Sequence, residues 1–184
     1  TSHGADYFRR WHRLVECSGS LWVHKASHHF DLLNWWIDSD PESVYALGSL
    51  DHYGKNGTFR AENCRTCPHT SKCKFYYDIT RNQNYMDLYV ANEKYDGYLR
   101  DGCVFKNDVN IFDKMAATIR YKNGVQVAYS LTTYSPYEGY RIAFNGTKGR
   151  LEAWIQESRP TSDVNFDELV LFKNFGKREY IQIP

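Results

Sequence analysis

The chain has 184 residues, which is enough for one domain with a substantial core and too few for two large ones. Its net charge of +1 gives no electrostatic reason to expect a nucleic acid or an anionic membrane surface as a partner. The sequence has no apolar run of membrane-spanning length and no signal-peptide pattern, so we expect no membrane partner. Aromatic residues make up 16% of the chain, which suits a sugar-binding surface or an extended sheet face.

The first residue is Thr1, and it comes directly before a stretch that already reads as structured. We therefore expect the chain to be part of a longer protein. A missing targeting signal then says little about the compartment, for which the cytoplasm is the expectation and the periplasm the alternative.

A helix is predicted from about Lys25 to Ile37, and it ends before Pro41 because proline disfavours helix at the residue that precedes it. At helical spacing, one face carries His28, Asp31, Leu32 and Trp35. This arrangement could hold a titratable group at the open end of a core-like face. Alternatively, the histidines only cap and solvate the first turn, and the spacing alone favours this second interpretation.

Strands dominate the rest of the chain, apart from a short helix predicted over Tyr85–Glu93 and a turn at Tyr95–Tyr98. Asn123-Gly124 is a strong hairpin signal, and a second reversal is predicted at Asn145–Gly149. The predicted class is α+β, with an open, largely antiparallel sheet and helices on one face. The predicted strands are Glu42–Leu50, Ala116–Tyr121, Val125–Thr133, Arg141–Phe144, Leu151–Ile155, Leu169–Lys173 and Glu179–Ile183.

Residues 51–82 are polar, lack clear periodicity and contain three of the five cysteines, so we predict a long excursion from the domain. An apolar core is not expected to stabilise such a segment, whereas a metal ion or a disulfide could. Cys-x2-Cys spacing suits a structural zinc site, disulfides are the competing interpretation, and buried free thiols are the third. The candidate residues are Cys64, Cys67, Cys73 and Cys103.

Four motifs in this order resemble the C-terminal domain of the Gfo/Idh/MocA oxidoreductases, the family of glucose–fructose oxidoreductase and inositol dehydrogenase. They are the His-x-x-Asp helix that runs from His28 to Trp35, the strand Ser43–Gly48, the hairpin Tyr121–Gly124 and the Gly-Thr-x-Gly turn within Arg141–Glu152. The cysteine segment and Arg100–Val104 resemble a subgroup that carries the same insertion.

The resemblance implies that residues 1–184 form a single C-terminal domain for substrate binding and oligomerisation. An N-terminal Rossmann domain, which this chain lacks, would bind NAD or NADP and supply the catalytic lysine. The implied partners are a sugar-like or polyol substrate and further copies of the chain, joined through the sheet face. On this basis the isolated chain is expected to be inactive.

Site residues also follow from the resemblance. His28 is implied as the acid/base residue that contacts the reacting hydroxyl or carbonyl, a task for which histidine is suited because it exchanges protons near neutral pH. Family dehydrogenases often have an aspartate where this chain has His24, and Lys25 beside it offers a cation instead. The residues implied to contact the substrate are Lys25, His24, Asp31, Trp11, His12 and Arg10.

Two other functions stay open at the level of sequence. Some proteins on this scaffold are NAD-dependent glycosidases, which oxidise their substrate only transiently. The domain could also be a non-catalytic binding or assembly module in which His28 is purely structural.

Overall fold

The computed structural model describes residues 3–158 and 168–181. Its contacts divide the chain into two units, and the boundary between them in the sequence lies between Tyr134 and Ser135. The first unit contains the helices α1 (His3–Arg9), α2 (Val15–Ser18), α3 (Ser20–His24), α4 (Ala26–Ile37), α5 (Gln83–Leu88) and α6 (Glu93–Asp96). None of the described helices is long and apolar enough to span a membrane.

The first unit has a three-stranded antiparallel sheet in the order β1 (Pro41–Ser49), β2 (Lys114–Tyr121) and β3 (Gln126–Thr132). Burial alternates along β2, whose inward residues are Met115, Ala117, Ile119 and Tyr121. The predicted hairpin is confirmed: Gly124 has φ of +87° and donates its N–H to the Tyr121 carbonyl. Such a φ is one that glycine adopts without a steric penalty.

Helix α4 matches the predicted range to within one residue, but the expectation of a core-like His28 face is wrong. The helix buries Leu33 and packs Phe30 and Ile37 against the inward side of β2. His28, Asp31 and Trp35 are exposed, and Trp35 keeps 75% of its surface accessible. The physical reason is that the opposite side of the helix offers apolar residues such as Phe30 and Ile37 to the sheet. On that side, Asn34 and His29 also form hydrogen bonds with tyrosine hydroxyls of β2 and β3.

Strand β1 is an edge strand whose residues are almost all exposed. Val44, Tyr45 and Leu47 each expose more than 60% of their surface. The outward residues of β2 and β3 are also exposed. This sheet therefore has one solvent-facing side, as the sequence predicts, and a homo-oligomer formed through it stays a prediction.

The polar segment 51–82 contains three 3₁₀ turns, at Gly54–Asn56, Thr70–Lys72 and Ile79–Arg81. The prediction that an apolar core does not stabilise it is wrong. Tyr53 is fully buried in the core of this unit, and Phe75 packs against that core. Aromatic side chains spaced along an otherwise polar segment supply this burial, which periodicity does not reveal.

The helix predicted over Tyr85–Glu93 begins two residues earlier, because the Asn82 side chain caps the N–H of Tyr85. It ends at Leu88 and continues through a 3₁₀ turn into α6. Gly97, with φ of +72°, ends α6 at the predicted turn.

The second unit is a four-stranded antiparallel sheet in the order β4, β5, β6, β7. The second predicted reversal is confirmed, with Gly146 opposite Gly149. The last predicted strand is confirmed as far as Ile181, and its residues 182 and 183 lie outside the described part. The α+β class is confirmed. The strands are β4 (Glu138–Gly146), β5 (Gly149–Ser158), β6 (Glu168–Lys173) and β7 (Arg178–Ile181).

Candidate active site

Four rings from the first three helices and their connections form one cluster, called here the imidazole cluster: Tyr7, Trp11, His12 and His24. The Trp11 and His12 rings stack with 3.7 Å between their centroids. The ring centroids of His12 and His24 are 4.7 Å apart, and Tyr7 lies 4.7 Å from His12. His12 is buried and Trp11 remains 38% exposed, so the indole is the outward edge of the cluster.

Backbone geometry between the two histidines explains why they meet. Gly19 has φ of +64° and ends α2, which lets α3 begin at Ser20 in a new direction. The Ser18 hydroxyl donates to the His12 carbonyl at 2.9 Å and accepts the Ser20 N–H at 3.0 Å. These bonds fix the return of the chain, so His24 at the end of α3 reaches the ring of His12.

Helix α1 is held in place by charged contacts with residues 98–102. Asp6 accepts two hydrogen bonds from the Arg100 guanidinium, at 2.7 and 3.0 Å. Such bidentate pairs constrain orientation as well as distance. Arg10 donates to the Tyr98 hydroxyl at 3.2 Å. The Asp6–Arg100 and Arg10–Tyr98 contacts therefore both hold the start of the Trp11–His12 segment in place.

Burial and neighbouring cations keep both histidines of the cluster neutral. The pKa of His12 is lowered to about 4, first by burial and then by Arg10, His24 and Lys25, while Asp6 opposes this shift. The pKa of His24 is also lowered, first by burial and then by Lys25, Arg10 and His28. The Nδ1 atoms of both rings are buried and have no hydrogen-bond partner within the described residues. A neutral imidazole has one donor and one acceptor nitrogen, so the buried Nδ1 of each ring is an unsatisfied hydrogen-bonding group.

The described residues do not form the usual dinucleotide-binding unit. Every strand pairing in residues 3–158 and 168–181 is antiparallel, whereas the dinucleotide-binding unit needs parallel strands joined through a helix. The sequence also lacks the Gly-x-Gly-x-x-Gly turn. A nicotinamide cofactor would have to be bound by residues other than these.

Residues 1–167 match the family model described as "Oxidoreductase family, C-terminal alpha/beta domain" (GFO_IDH_MocA_C). The chain belongs to this oxidoreductase family. It is also 37% identical over 166 residues to a Bacillus subtilis (strain 168) protein named "Putative oxidoreductase YteT". That match covers 83% of this chain and 39% of the relative, so the chain spans about two fifths of the relative's length.

Six of the seven residues that the sequence analysis assigns to the substrate site in this Gfo/Idh/MocA domain lie together. Trp11, His12 and His24 are members of the imidazole cluster. Arg10, Lys25 and His28 lie near enough to affect the pKa values of its histidines.

The seventh residue, Asp31, is set apart from the cluster. It lies one helical turn beyond His28 on the exposed face of α4. Within the described residues it forms no hydrogen bond or ion pair with His28. Its implied contact with the substrate stays a prediction.

Four further residues complete or support the cluster and were not predicted as part of a site: Tyr7, Asp6, Tyr98 and Arg100. Tyr7 and Trp11 are four residues apart, a spacing that could have indicated a shared side. The Asp6–Arg100 pair joins residues that are distant in sequence, so no local signal points to it.

All five cysteines are free thiols, so the disulfide alternative is wrong for this structure. Four of them line one small cavity together with Arg9. Burial raises the pKa of the Cys64 thiol, and the nearby Arg9 guanidinium opposes this rise. Among the described residues, no group of three or more histidine, cysteine, aspartate or glutamate side chains is placed so that it could hold a metal ion.

Proposed function

We propose that this chain is the substrate-facing domain of an NAD(P)-dependent oxidoreductase that acts on a sugar-like or polyol substrate. Membership of the oxidoreductase family supports the reaction class. The imidazole cluster is the observation that carries the proposal, because it combines an exposed indole with two imidazoles whose Nδ1 atoms have no hydrogen-bond partner among the described residues. NAD or NADP would be bound by a different domain of the complete protein.

The cluster's composition suits a polyhydroxylated ligand. An exposed indole such as Trp11 offers a flat apolar surface for the C–H face of a sugar ring, and its N–H remains a donor. His12 and His24 contribute neutral rings that can donate to one hydroxyl and accept from another. Because burial, and then the charges of Arg10 and Lys25, lower the pKa of both histidines, the rings keep this capacity at neutral pH.

His28 is the residue that we propose transfers the proton. It is exposed in the first half of α4, close enough to His24 to lower the pKa of that ring. Oxidation of a hydroxyl group removes a proton from oxygen and a hydride from carbon, and a bound nicotinamide would accept the hydride. The part assigned to this chain is to hold the hydroxyl and accept its proton at the His28 imidazole.

The test uses the complete protein that contains this chain. A panel of sugars and polyols is supplied with NAD⁺ or NADP⁺, and formation of the reduced cofactor is followed by absorbance. Turnover with at least one polyol or sugar supports the proposal. Cleavage of a glycoside without net reduced cofactor would instead assign the chain to the NAD-dependent glycosidases, and binding without turnover would make it a non-catalytic module.

A variant pair locates the substrate. Replacing Trp11 with alanine removes the proposed stacking surface and is expected to raise KM about tenfold, the effect of losing about 1–2 kcal/mol of contact. Tyr95 is an aromatic residue of α6 with 76% exposure that has no described ring contact with the cluster. Its replacement with alanine should leave KM unchanged. Equal effects of the two changes would contradict the proposed location.

A further inference from the structure

Four cysteines from two distant parts of the sequence converge on one cavity in the first unit. Cys64 and Cys103 are buried there, and Cys67 and Cys73 are partly exposed at its edge. Cys17 is exposed on α2 and does not line this cavity. The convergence is independent of the substrate site proposed above.

The backbone fixes this convergence. An isolated antiparallel bridge pairs Asn63 with Gly102, the residues directly before Cys64 and Cys103. Hydrogen bonds on both sides extend the bridge. The Cys64 N–H donates to the Asp101 carbonyl at 2.9 Å, and the Cys103 N–H donates to the backbone carbonyl of Glu62 at 3.3 Å. A turn brings Cys67 back, since its N–H donates to the Cys64 carbonyl.

Three of the four sulfur atoms accept hydrogen bonds. The N–H of His69 donates to Cys67 Sγ, and the N–H of Phe105 donates to Cys103 Sγ, each at 3.4 Å and each from two residues further along the chain. Arg9 Nη1 donates to Cys64 Sγ at 3.3 Å. A thiolate accepts hydrogen bonds more strongly than a neutral thiol, so these donors would stabilise the sulfur atoms once a metal ion had displaced their protons.

The charge around the cavity also favours negatively charged sulfur atoms. Arg9 is only 5% exposed, and its other donors bond to the carbonyl oxygens of Gly102 and Phe75. Across residues 3–158 and 168–181, no carboxylate forms an ion pair with Arg9. The Arg9 Cζ atom also lies 5.5 Å from the centre of the Tyr77 ring. Negative charge nearby would stabilise this buried cation further. Zinc bound by four thiolates carries a net charge of −2, which would supply this negative charge.

We propose that Cys64, Cys67, Cys73 and Cys103 bind one structural zinc ion beside Arg9. Four thiolates close the tetrahedral shell, so no coordination position is left for a substrate and the ion has no catalytic role. Each sulfur must come within about 2.3 Å of the zinc, so binding draws the four side chains closer together than they lie in this structure.

Zinc binding would stabilise the segment 51–82 and, through Arg9, the start of the Trp11–His12 segment. The ion would therefore support the imidazole cluster without touching the substrate. This arrangement also explains why a buried arginine directly precedes the residues that we assign to the substrate site.

The test is metal analysis of the purified protein, followed by titration of metal-free protein with ZnCl₂ and with CoCl₂. Elemental analysis should find about one zinc per chain. Cobalt should give the visible absorption bands of a tetrahedral site and a sulfur-to-cobalt charge-transfer band. Cys67→Ser and Cys73→Ser are suitable variants because both side chains lie at the edge of the cavity, and Cys17→Ser is the matched control.

The expected result is that each edge variant weakens zinc binding at least tenfold and loses the cobalt spectrum, with circular dichroism like that of the parent protein. The control variant should retain both the metal and the spectrum. Three results would overturn the proposal: four thiols that titrate freely in excess zinc, a disulfide between any two of the four cysteines, or zinc retained undiminished in both edge variants.

Discussion

Replacing Asp113 with asparagine is expected to destabilise the protein strongly, because this carboxylate fixes the start of the segment 51–82. Asp113 is fully buried directly before β2. One carboxylate oxygen accepts the N–H of Asp51 at 3.0 Å, and the other accepts those of His52 and Tyr53 at 2.7 and 3.0 Å. All three donors lie immediately after β1, so one side chain ties the segment to the sheet.

The expected loss of unfolding free energy can be estimated from these three hydrogen bonds. A hydrogen bond to a charged group contributes roughly 1.5–3 kcal/mol, and an unsatisfied buried donor costs roughly 1–3 kcal/mol. Asparagine presents one acceptor oxygen and one NH₂ group, so it loses one or two of the bonds and turns a donor toward a backbone N–H. Together these effects amount to about 3–5 kcal/mol, or a decrease in Tm of about 6–20 °C for a chain of this size.

The assay is urea unfolding followed by tryptophan fluorescence, with thermal unfolding as a second readout. Asp51→Asn is the matched control, because the Asp51 carboxylate is solvent-exposed and pairs only with surface groups such as Lys114. That control should be nearly as stable as the parent protein. A loss below about 1 kcal/mol in Asp113→Asn, with an unchanged m-value, would refute the reasoning.

Three further predictions concern the surroundings of the imidazole cluster. The folded-state pKa of His12, about 4, lies below its ordinary value of 6.5, so its contribution to stability is present above pH 6.5 and is lost as pH falls toward 4. Urea titrations should show a loss of up to about 3 kcal/mol across this range, with a shallower slope in His12→Gln. Gly102→Ala should destabilise by several kcal/mol, on the order of other overpacked sites, because its Cβ would lie 2.4 Å from the Arg9 carbonyl oxygen. Gly97→Ala meets no atom and should show only the smaller cost of its positive φ in the same unfolding assay. Arg100→Met should lower kcat/KM in the complete protein by releasing α1, and full activity with unchanged stability would contradict that role.

Short sequence patterns predicted helix α4 and the β2–β3 hairpin, because both depend mainly on residues that are close in sequence. The bounds of α4 follow from proline and from apolar spacing, and the β2–β3 hairpin follows from Asn123-Gly124. The buried face of α4 could not be predicted from the sequence, because apolar residues occur on both sides of this helix. The choice is made by the sheet, whose inward residues pack on Phe30 and Ile37.

The family resemblance named residues of the candidate site, but their arrangement was not predictable from the sequence. The stacking of Trp11 on His12 and the return of His24 depend on the turn at Gly19. The lowered pKa of His12 depends on burial, which no short window of sequence contains. Likewise, the Cys-x2-Cys spacing suggested a metal, whereas the position of Arg9 beside the sulfur atoms required the fold.

The proposed role of His28 is tested by the steady-state kinetics of a His28→Gln variant of the complete protein with NAD(P)⁺ and its best polyol or sugar substrate. Loss of a positioned acid/base residue is expected to lower kcat by about 10²–10⁴-fold, while cofactor affinity and unfolding free energy stay unchanged. Turnover at the parent rate, with or without a change in stability, would contradict the assignment of His28 and with it the proposed role of this domain in the reaction.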